Sequence, residues 1–473
     1  MKPIIINNRI RLPDDVPEEK LEEIKKAFTI INPEFRKMME FKRIKEKDWG
    51  KFIKEGYYIT RNKVKGRWTT KAIPVELYYW DFDNRTQVVL PRGAMWQLKR
   101  LLKRPVTNEK HQVKKASFIF KGELSENKGQ PVIKKLSHKN GIIQAPTGSG
   151  KTVMALWLVA KFSVRTCIVV DTTELMNQWI ARIKQFLGVS KIGKIGAGDV
   201  KVHPISVALM QTLREQEKAI NSFDCLIVDE CHIAATESYE KIINVFTGEY
   251  VYGLSATPVR KDGKTEVMKW LLGPIRIVVN YKDAERCPAK VKVIPTQFKT
   301  DINFRRNYQA GVKSRLLDQT VNKLIAQNIE KEIDWFGIQL VTSRSVQHLY
   351  LIQNLLPPLI KMVSRILVGQ VSKEDRKTIV KEAATGKLKI LFATEQLLGK
   401  GFDEPLLSVL HMATPIKDVD FLTQVIGRVT RIHEGKKEAL ILDYWDNMEP
   451  VLGRSVKARL KKYQELGIER IKI

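Results

Sequence analysis

Short runs of aliphatic and β-branched residues alternate along most of this chain with stretches whose apolar positions recur every three to four residues. Gly141-Ile142-Ile143-Gln144, Cys167-Ile168-Val169-Val170, Cys225-Leu226-Ile227-Val228 and Tyr250-Val251-Tyr252-Gly253-Leu254 read as strands. Val153 to Phe162, Glu174 to Leu187 and Ser238 to Phe246 read as the intervening helices. Continuous apolar strands between helices predict a parallel sheet covered on both faces. The rhythm restarts after about 285, with Ile338 to Val341, Ile366 to Val368, Leu388 to Phe392 and Leu440 to Leu442 as buried strands. The prediction is an α/β chain of two lobes in tandem, residues 86–284 and 285–448. A basic helix follows at 449–473. A small α+β domain precedes the lobes at 1–85, with a helix from Glu18 to Phe28 and aromatic strands at Gly56 to Thr60 and Ala72 to Trp80.

Charge narrows the class of partner. The 473 residues carry 82 Lys+Arg against 52 Asp+Glu, a formal +30, and a field of that size favours a polyanion. The excess is uneven: Thr86 to Asn140 holds 13 basic and 3 acidic residues, a net of 13 − 3 = +10. No run of eighteen apolar residues appears, so no membrane span is expected. The apolar stretch near Met1 is too short for a secretory signal. Four cysteines without a C-x-x-C pair point to reduced thiols in a cytoplasm rather than zinc.

The most specific chemistry lies at Ala145-Pro146-Thr147-Gly148-Ser149-Gly150-Lys151-Thr152. This fits G-x-x-x-x-G-K-[ST] with alanine in the first glycine position. Gly148 and Gly150 let several N–H groups of the turn face one anion, to which Thr147 and Ser149 also contribute. Lys151 supplies a point charge for the β- and γ-phosphates, and the Thr152 hydroxyl suits Mg²⁺. A strand before and a helix after complete the context of a nucleoside triphosphate site. Asp229 and Glu230 follow the strand Cys225 to Val228, where ligands of open α/β sheets sit. Asp229 is expected to hold Mg²⁺, directly or through its bound water, and Glu230 to orient and deprotonate the attacking water.

Asp229-Glu230-Cys231-His232, Ser255-Ala256-Thr257-Pro258 and Gln424-Val425-Ile426-Gly427-Arg428-Val429-Thr430-Arg431 resemble motifs II, III and VI of superfamily-two helicases, in the family's order. Ser255 to Gly263 and Asp171 to Trp179 are similar to stretches of the XPB-like and UvsW-like DNA helicases, among which are bacteriophage enzymes of branch migration. The resemblance, from about Pro91 to Asp446, implies two RecA-like lobes, ATP with Mg²⁺, and DNA unwinding or remodelling of forks and junctions by a monomer. It implies that Arg428 and Arg431 act as arginine fingers across the lobes, with Gln424 beside them. It implies that Gly401 and Asp403 touch nucleotide and DNA, and that Ser255 and Thr257 couple hydrolysis to the strand, unless they only cap and turn a strand end. Thr172, Thr173, Gln211, Thr212, Thr342, Ser343 and Thr394 match backbone-contacting positions, where hydroxyls and amides suit phosphates.

The pattern also departs from the family. Gln97, after Trp96, fits the adenine-reading glutamine, but Ala94 stands where an arginine is usual, and Trp96 also reads as core. Between Gln97 and Ala145 lies an insertion near 110–138, where Ala116 to Phe120 and Pro131 to Ile133 flank Ser125 to Gly129. It reads as a basic β-hairpin, either a DNA pin or a solvated loop. In the N-terminal domain Trp49, Tyr57, Tyr58, Trp68, Tyr78, Tyr79 and Trp80 suit either base stacking or a core. An RNA helicase, a restriction-type translocase (for which no nuclease motif is found) and an ATP-switched DNA-binding or annealing protein are the rival readings.

Overall fold

The computed structural model describes residues 4–471 except 7–8, 13–14, 43, 45, 47–48, 50–52, 55–56, 65–66, 75, 80, 84–86, 103–105, 109–112, 114, 234–235, 261, 281–284, 305, 370, 372, 400–405, 415 and 417. Contacts divide the chain into two units. One comprises 1–124, 132–144 and 152–278; the other comprises 125–131, 145–151 and 279–473. The phosphate loop is thus grouped with the second unit, although the strand before it and nearly all of the helix after it belong to the first.

The first unit is built on an eight-stranded sheet. Its order is Asp199–Lys201, Gly193–Gly196, Ile205–Leu209, Thr166–Val170, Cys225–Val228, Tyr250–Ser255, Asn140–Gln144, Ile275–Val278. Every pairing is parallel except the edge hairpin Gly193–Gly196 with Asp199–Lys201. Thr166–Val170 and Cys225–Val228 are buried throughout, which is why they read as unbroken apolar runs. The strands after which the phosphate loop and Asp229 follow both flank Tyr250–Ser255 in parallel, so the two segments leave the same sheet edge.

The N-terminal domain does not end at residue 85. Gln87–Pro91 pairs with Arg9–Arg11 and Asp81–Asp83, and Val106–Asn108 pairs with Ile4–Ile6, in one five-stranded sheet. Ile10, Leu12, Val88 and Leu90 share a single buried cluster with Leu226 and Val228 of the large sheet. Phe28 and Tyr79 meet Trp270 at ring separations of 5.2 and 5.4 Å. Burying apolar faces against each other is what makes these elements one unit. The helix Glu18–Ala27 forms as predicted. Of the aromatics read there, Trp49 packs against Phe35 and Tyr78 is exposed. Trp80 and the side chains of Tyr57, Tyr58 and Trp68 lie outside the described residues.

The expected hairpin near 110–138 is corrected. Among the described residues of that stretch no strand forms; Glu126–Lys128 and Gln130–Lys135 are 3₁₀ turns. Residues 115–121 instead run along two helix ends, where Ala116 N–H donates to Ser163 and Lys121 N–H to Phe186. Phe118 is buried and Phe120 stacks on Phe186 at 5.9 Å. The alternation signals one covered face, and helix ends rather than a second strand cover it.

The second unit carries a seven-stranded, wholly parallel sheet. Its order is Ser364–Leu367, Ile390–Thr394, Ile338–Ser343, Leu407–Met412, Ala439–Trp445, Ala289–Pro295, Glu469–Ile471. Its two faces bury separate clusters, Leu340, Leu391, Leu410 and Ile441 on one and Val341, Phe392, Val409 and Leu440 on the other. The basic helix Ser455–Glu465 docks on this lobe: Arg459 grips Asp443 through two bonds of 2.7 and 2.8 Å, and the Tyr463 hydroxyl adds a third at 2.9 Å. No described helix is long and apolar enough to cross a membrane.

Candidate nucleotide site and strand-end residues

The phosphate loop has the backbone its glycines foretell. Gly148 and Gly150 have φ of +86° and +84°, a region a side chain rarely adopts. The Ser149 hydroxyl closes the turn onto the Pro146 carbonyl at 2.7 Å. Lys151 lies across its own loop, 3.4 Å from the Ala145 carbonyl, and with Thr152 begins the helix Lys151–Phe162. Within the second unit four further residues meet the loop. Arg286 donates to the Thr147 carbonyl at 2.8 Å. A Cβ on Gly427 would lie 3.1 Å from Thr147 Cβ, and one on Gly148 would lie 3.7 Å from Arg431 Cγ. Gln130, 3% exposed, donates to the Ser149 carbonyl at 2.8 Å and accepts from Ser125 N–H at 2.9 Å.

In the first unit the acidic turn is held from several sides. Asp229 accepts from the Trp179 indole N–H at 2.8 Å and from the Glu230 N–H at 2.9 Å. Glu230 has φ +46°, a strained conformation for a residue with a side chain and a frequent mark of a functional turn. His232 Nδ1 stands 3.4 Å from both Glu230 Oε2 and Ser255 Oγ. Ser255 Oγ also accepts from Thr257 N–H at 3.2 Å. Arg260 donates to the His232 carbonyl and is clamped by Asp262. A continuous polar path therefore joins Glu230 to the strand end that carries Ser255 and Thr257.

The two arginines of the helix Val419–Val429 and the turn after it are placed differently. Arg431 lies beside Gly148, whereas Arg428, 7% exposed, donates to the Leu398 carbonyl. Gln424 is half-buried on the same helix. Gly401 and Asp403 lie outside the described residues.

Gln97 is corrected. Its amide is held by the Ala27 carbonyl at 3.3 Å and by the Trp270 indole N–H at 2.7 Å, so it ties the N-terminal helix to the lobe. Arg92 serves the same junction, bonded to the Gly248 and Glu249 carbonyls, with burial drawing its pKa down to about 10.

Thr172 caps the helix Thr173–Leu187, and Gln211 and Thr212 follow the strand Ile205–Leu209, so with Thr173 they line the C-terminal edge of the first sheet. Thr394 ends its strand opposite Ser343 on the second. The side chains of Thr342 and Ser343 are corrected as contacts: both are fully buried, with Thr342 donating to the His411 carbonyl and Ser343 paired with His348 at 2.8 Å. Neither hydroxyl reaches the surface.

Trp179, His232, Arg260, Arg286 and Gln130 were not singled out from the sequence as site groups. Trp179 and His232 stand inside quoted motifs, and Gln130 lies fifteen residues before Ala145, so nearness to a motif was the available signal. Nothing local marks Arg286.

Comparison with known proteins shows which families the chain resembles. Residues 109–260 match the family described as "Type III restriction enzyme, res subunit", and residues 320–433 match "Helicase conserved C-terminal domain". The chain is 36% identical over 198 residues to "DNA 3'-5' translocase XPB2" of Sulfurisphaera tokodaii, covering 41% of the chain and 45% of that relative. It is 23% identical over 463 residues to a "Putative ATP-dependent RNA helicase" of Acanthamoeba polyphaga mimivirus, covering 95% and 82%. It is 26% identical over 448 residues to "ATP-dependent DNA helicase uvsW" of Enterobacteria phage T4, covering 83% and 88%. Among solved structures, a putative HsdR subunit fragment of a type I restriction enzyme from Vibrio vulnificus shares the fold at TM-score 0.53, with 17% identity, covering 95% of this chain and 83% of that one.

Proposed function

We propose, the chain being a superfamily-two helicase of the type that includes XPB- and UvsW-like proteins, that it hydrolyses ATP to move along DNA and remodel forks and junctions. The observation that carries the hydrolytic part is the strained turn at Glu230, fixed by Trp179, His232 and Arg260 at the sheet edge from which the phosphate loop also springs.

Lys151 and the loop N–H groups bind the phosphates. The donor set fits a hard divalent cation: an alcohol oxygen, Thr152, and a carboxylate, Asp229, already oriented by an indole N–H. Bound Mg²⁺ supplies charge neutralisation at the β- and γ-phosphates. Glu230 accepts the proton of the attacking water, and Arg431 donates to the charge that develops on the γ-phosphoryl oxygens. Arg428 donates to the Leu398 carbonyl, within the Glu395–Gly399 segment. The path from Glu230 through His232 to Ser255 conveys hydrolysis to residues lining the edge of the first sheet, where Thr172 and Gln211 meet the phosphate backbone.

The net +30 and the basic stretch 86–140 favour a nucleic acid, and the names of two relatives favour DNA. The mimivirus relative keeps RNA as the second reading. Two variants and a set of substrates test the proposal. Lys151→Ala and Glu230→Gln are expected to lower ATP turnover by about 10³-fold or more while DNA binding persists. Strand displacement on forks and four-way junctions is expected to exceed that on blunt duplex and on RNA, at matched salt. Normal turnover in either variant refutes the site; equal activity on RNA refutes the substrate.

A further inference from the structure

Lys436 is a buried cation that the hydrolytic scheme leaves without a task. It is 8% exposed. Its ammonium has three N–H donors, and three backbone carbonyls receive them: Leu407 at 2.5 Å, Val429 at 2.6 Å and Arg431 at 3.0 Å. Val429 ends the helix Val419–Val429, Arg431 belongs to the turn after it, and Leu407 begins the adjacent strand Leu407–Met412. A cation at a helix C-terminus meets the unsatisfied carbonyls and the negative end of the helix dipole.

The same turn is closed by main-chain bonds. Arg431 N–H reaches the Arg428 carbonyl at 3.3 Å, Lys436 N–H the His433 carbonyl at 3.0 Å, and Cys287 N–H the Thr430 carbonyl at 3.0 Å. The carbonyl of Lys436 lies 3.8 Å from Cys287 Sγ. Removing the ammonium leaves two buried carbonyls and one part-buried carbonyl without this donor. The turn then shifts to find others, and with it the Cα from which Arg431 projects.

We propose that Lys436 is a positioning residue for Arg431: it pins the main chain of the turn so that the guanidinium stands beside the phosphate loop. The inference rests on the assignment of Arg431 made above. A small displacement of a group that acts only in the transition state lowers kcat and spares substrate binding, and an ångström is enough for a large loss.

The test measures DNA-stimulated ATP turnover of the full chain as Lys436→Met, Arg431→Ala and the double variant, with thermal melting of each. Lys436→Met is expected to lower kcat about 10- to 100-fold with KM for ATP within about twofold. The double variant is expected to be no slower than Arg431→Ala, because a residue acting through another adds nothing once that other is gone. Lys436→Gln keeps two donors and replaces the methionine variant should the latter melt below assay temperature; the same outcomes apply. A slow Arg431→Ala beside a fast Lys436 variant overturns this inference alone. So does a loss that multiplies in the double variant, or one confined to KM. Full turnover in Arg431→Ala overturns the assignment of Arg431 and this inference with it.

Discussion

Trp179→Phe is expected to raise the Mg²⁺ requirement of ATP hydrolysis without unfolding the protein. The indole N–H donates to Asp229 Oδ2 at 2.8 Å, from a side chain 2% exposed to a carboxylate 9% exposed. A hydrogen bond to a charged group contributes about 1.5–3 kcal/mol. At about 1.4 kcal/mol per decade this corresponds to about 10- to 150-fold. Outer partners of metal-binding carboxylates cost a similar 10- to 100-fold when removed. Asp229 keeps the Glu230 N–H at 2.9 Å, so the lower part of that range, about 10- to 30-fold, is expected. Phenylalanine retains most of the buried ring, and the stability cost stays below the roughly 3–5 kcal/mol of full aromatic truncation. The assay is steady-state ATP hydrolysis at saturating ATP and DNA across a Mg²⁺ titration. The half-saturating Mg²⁺ should rise while turnover at high Mg²⁺ recovers. A midpoint within about twofold of the parent, in a variant that still melts cooperatively, would show that the indole does not orient a metal-binding Asp229.

Three other outcomes follow from other contacts. Gln130→Ala should raise KM for ATP by about 2- to 10-fold through loss of its bond to the Ser149 carbonyl, whereas Gln97→Ala should lower the melting temperature and leave KM alone; the reverse pattern would reinstate Gln97 as the nucleotide contact. Burial holds His348 and His411 neutral, each pulled down to about 3 from 6.5, so the unfolded chain binds more protons below pH 6.5. The stability these two confer is complete above pH 6.5 and is lost as pH falls toward 3, at about 1.4 kcal/mol per pH unit for each once well below 6.5. Chemical denaturation of the parent and of His411→Gln between pH 7 and 4.5 checks this, and identical slopes for the two would refute it.

The large sheets were legible because burial on both faces leaves a signature in the sequence. Thr166–Val170 and Ala439–Trp445 are apolar almost throughout, and no alternating surface strand looks like that. The backbone of the candidate phosphate loop was legible because phosphate chemistry demands particular residues on consecutive positions: two glycines, found at positive φ, before Lys151, and two carboxylates after a strand. The insertion was misread for a definite reason. Alternation at 116–120 says that one face is covered, and the sequence does not say whether a strand or a pair of helix ends covers it. Gln97 failed similarly, since a glutamine beside an aromatic suits adenine and also suits a buried indole N–H such as that of Trp270.

What stayed hidden shares one property: its partner is a backbone atom or lies far along the chain. Trp179 is a core tryptophan by every local rule, and only folding brings Asp229, fifty positions on, against its N–H. Lys436 is five residues from Arg431, yet its setting depends on the Leu407 carbonyl as much as on that nearness. Residue types in a motif point to the groups proposed to touch the nucleotide, because a nucleotide selects their chemistry. The groups that aim them are selected by whichever carbonyl or carboxylate the fold leaves in need of a donor, and many side chains can answer that need. A buried Lys, Trp or Arg is therefore informative in proportion to what it donates to. Arg459 answers a core carboxylate, Asp443, and secures a helix; Lys436 answers the carbonyl of Arg431 itself, and so stands one bond from the residue proposed to meet the γ-phosphate.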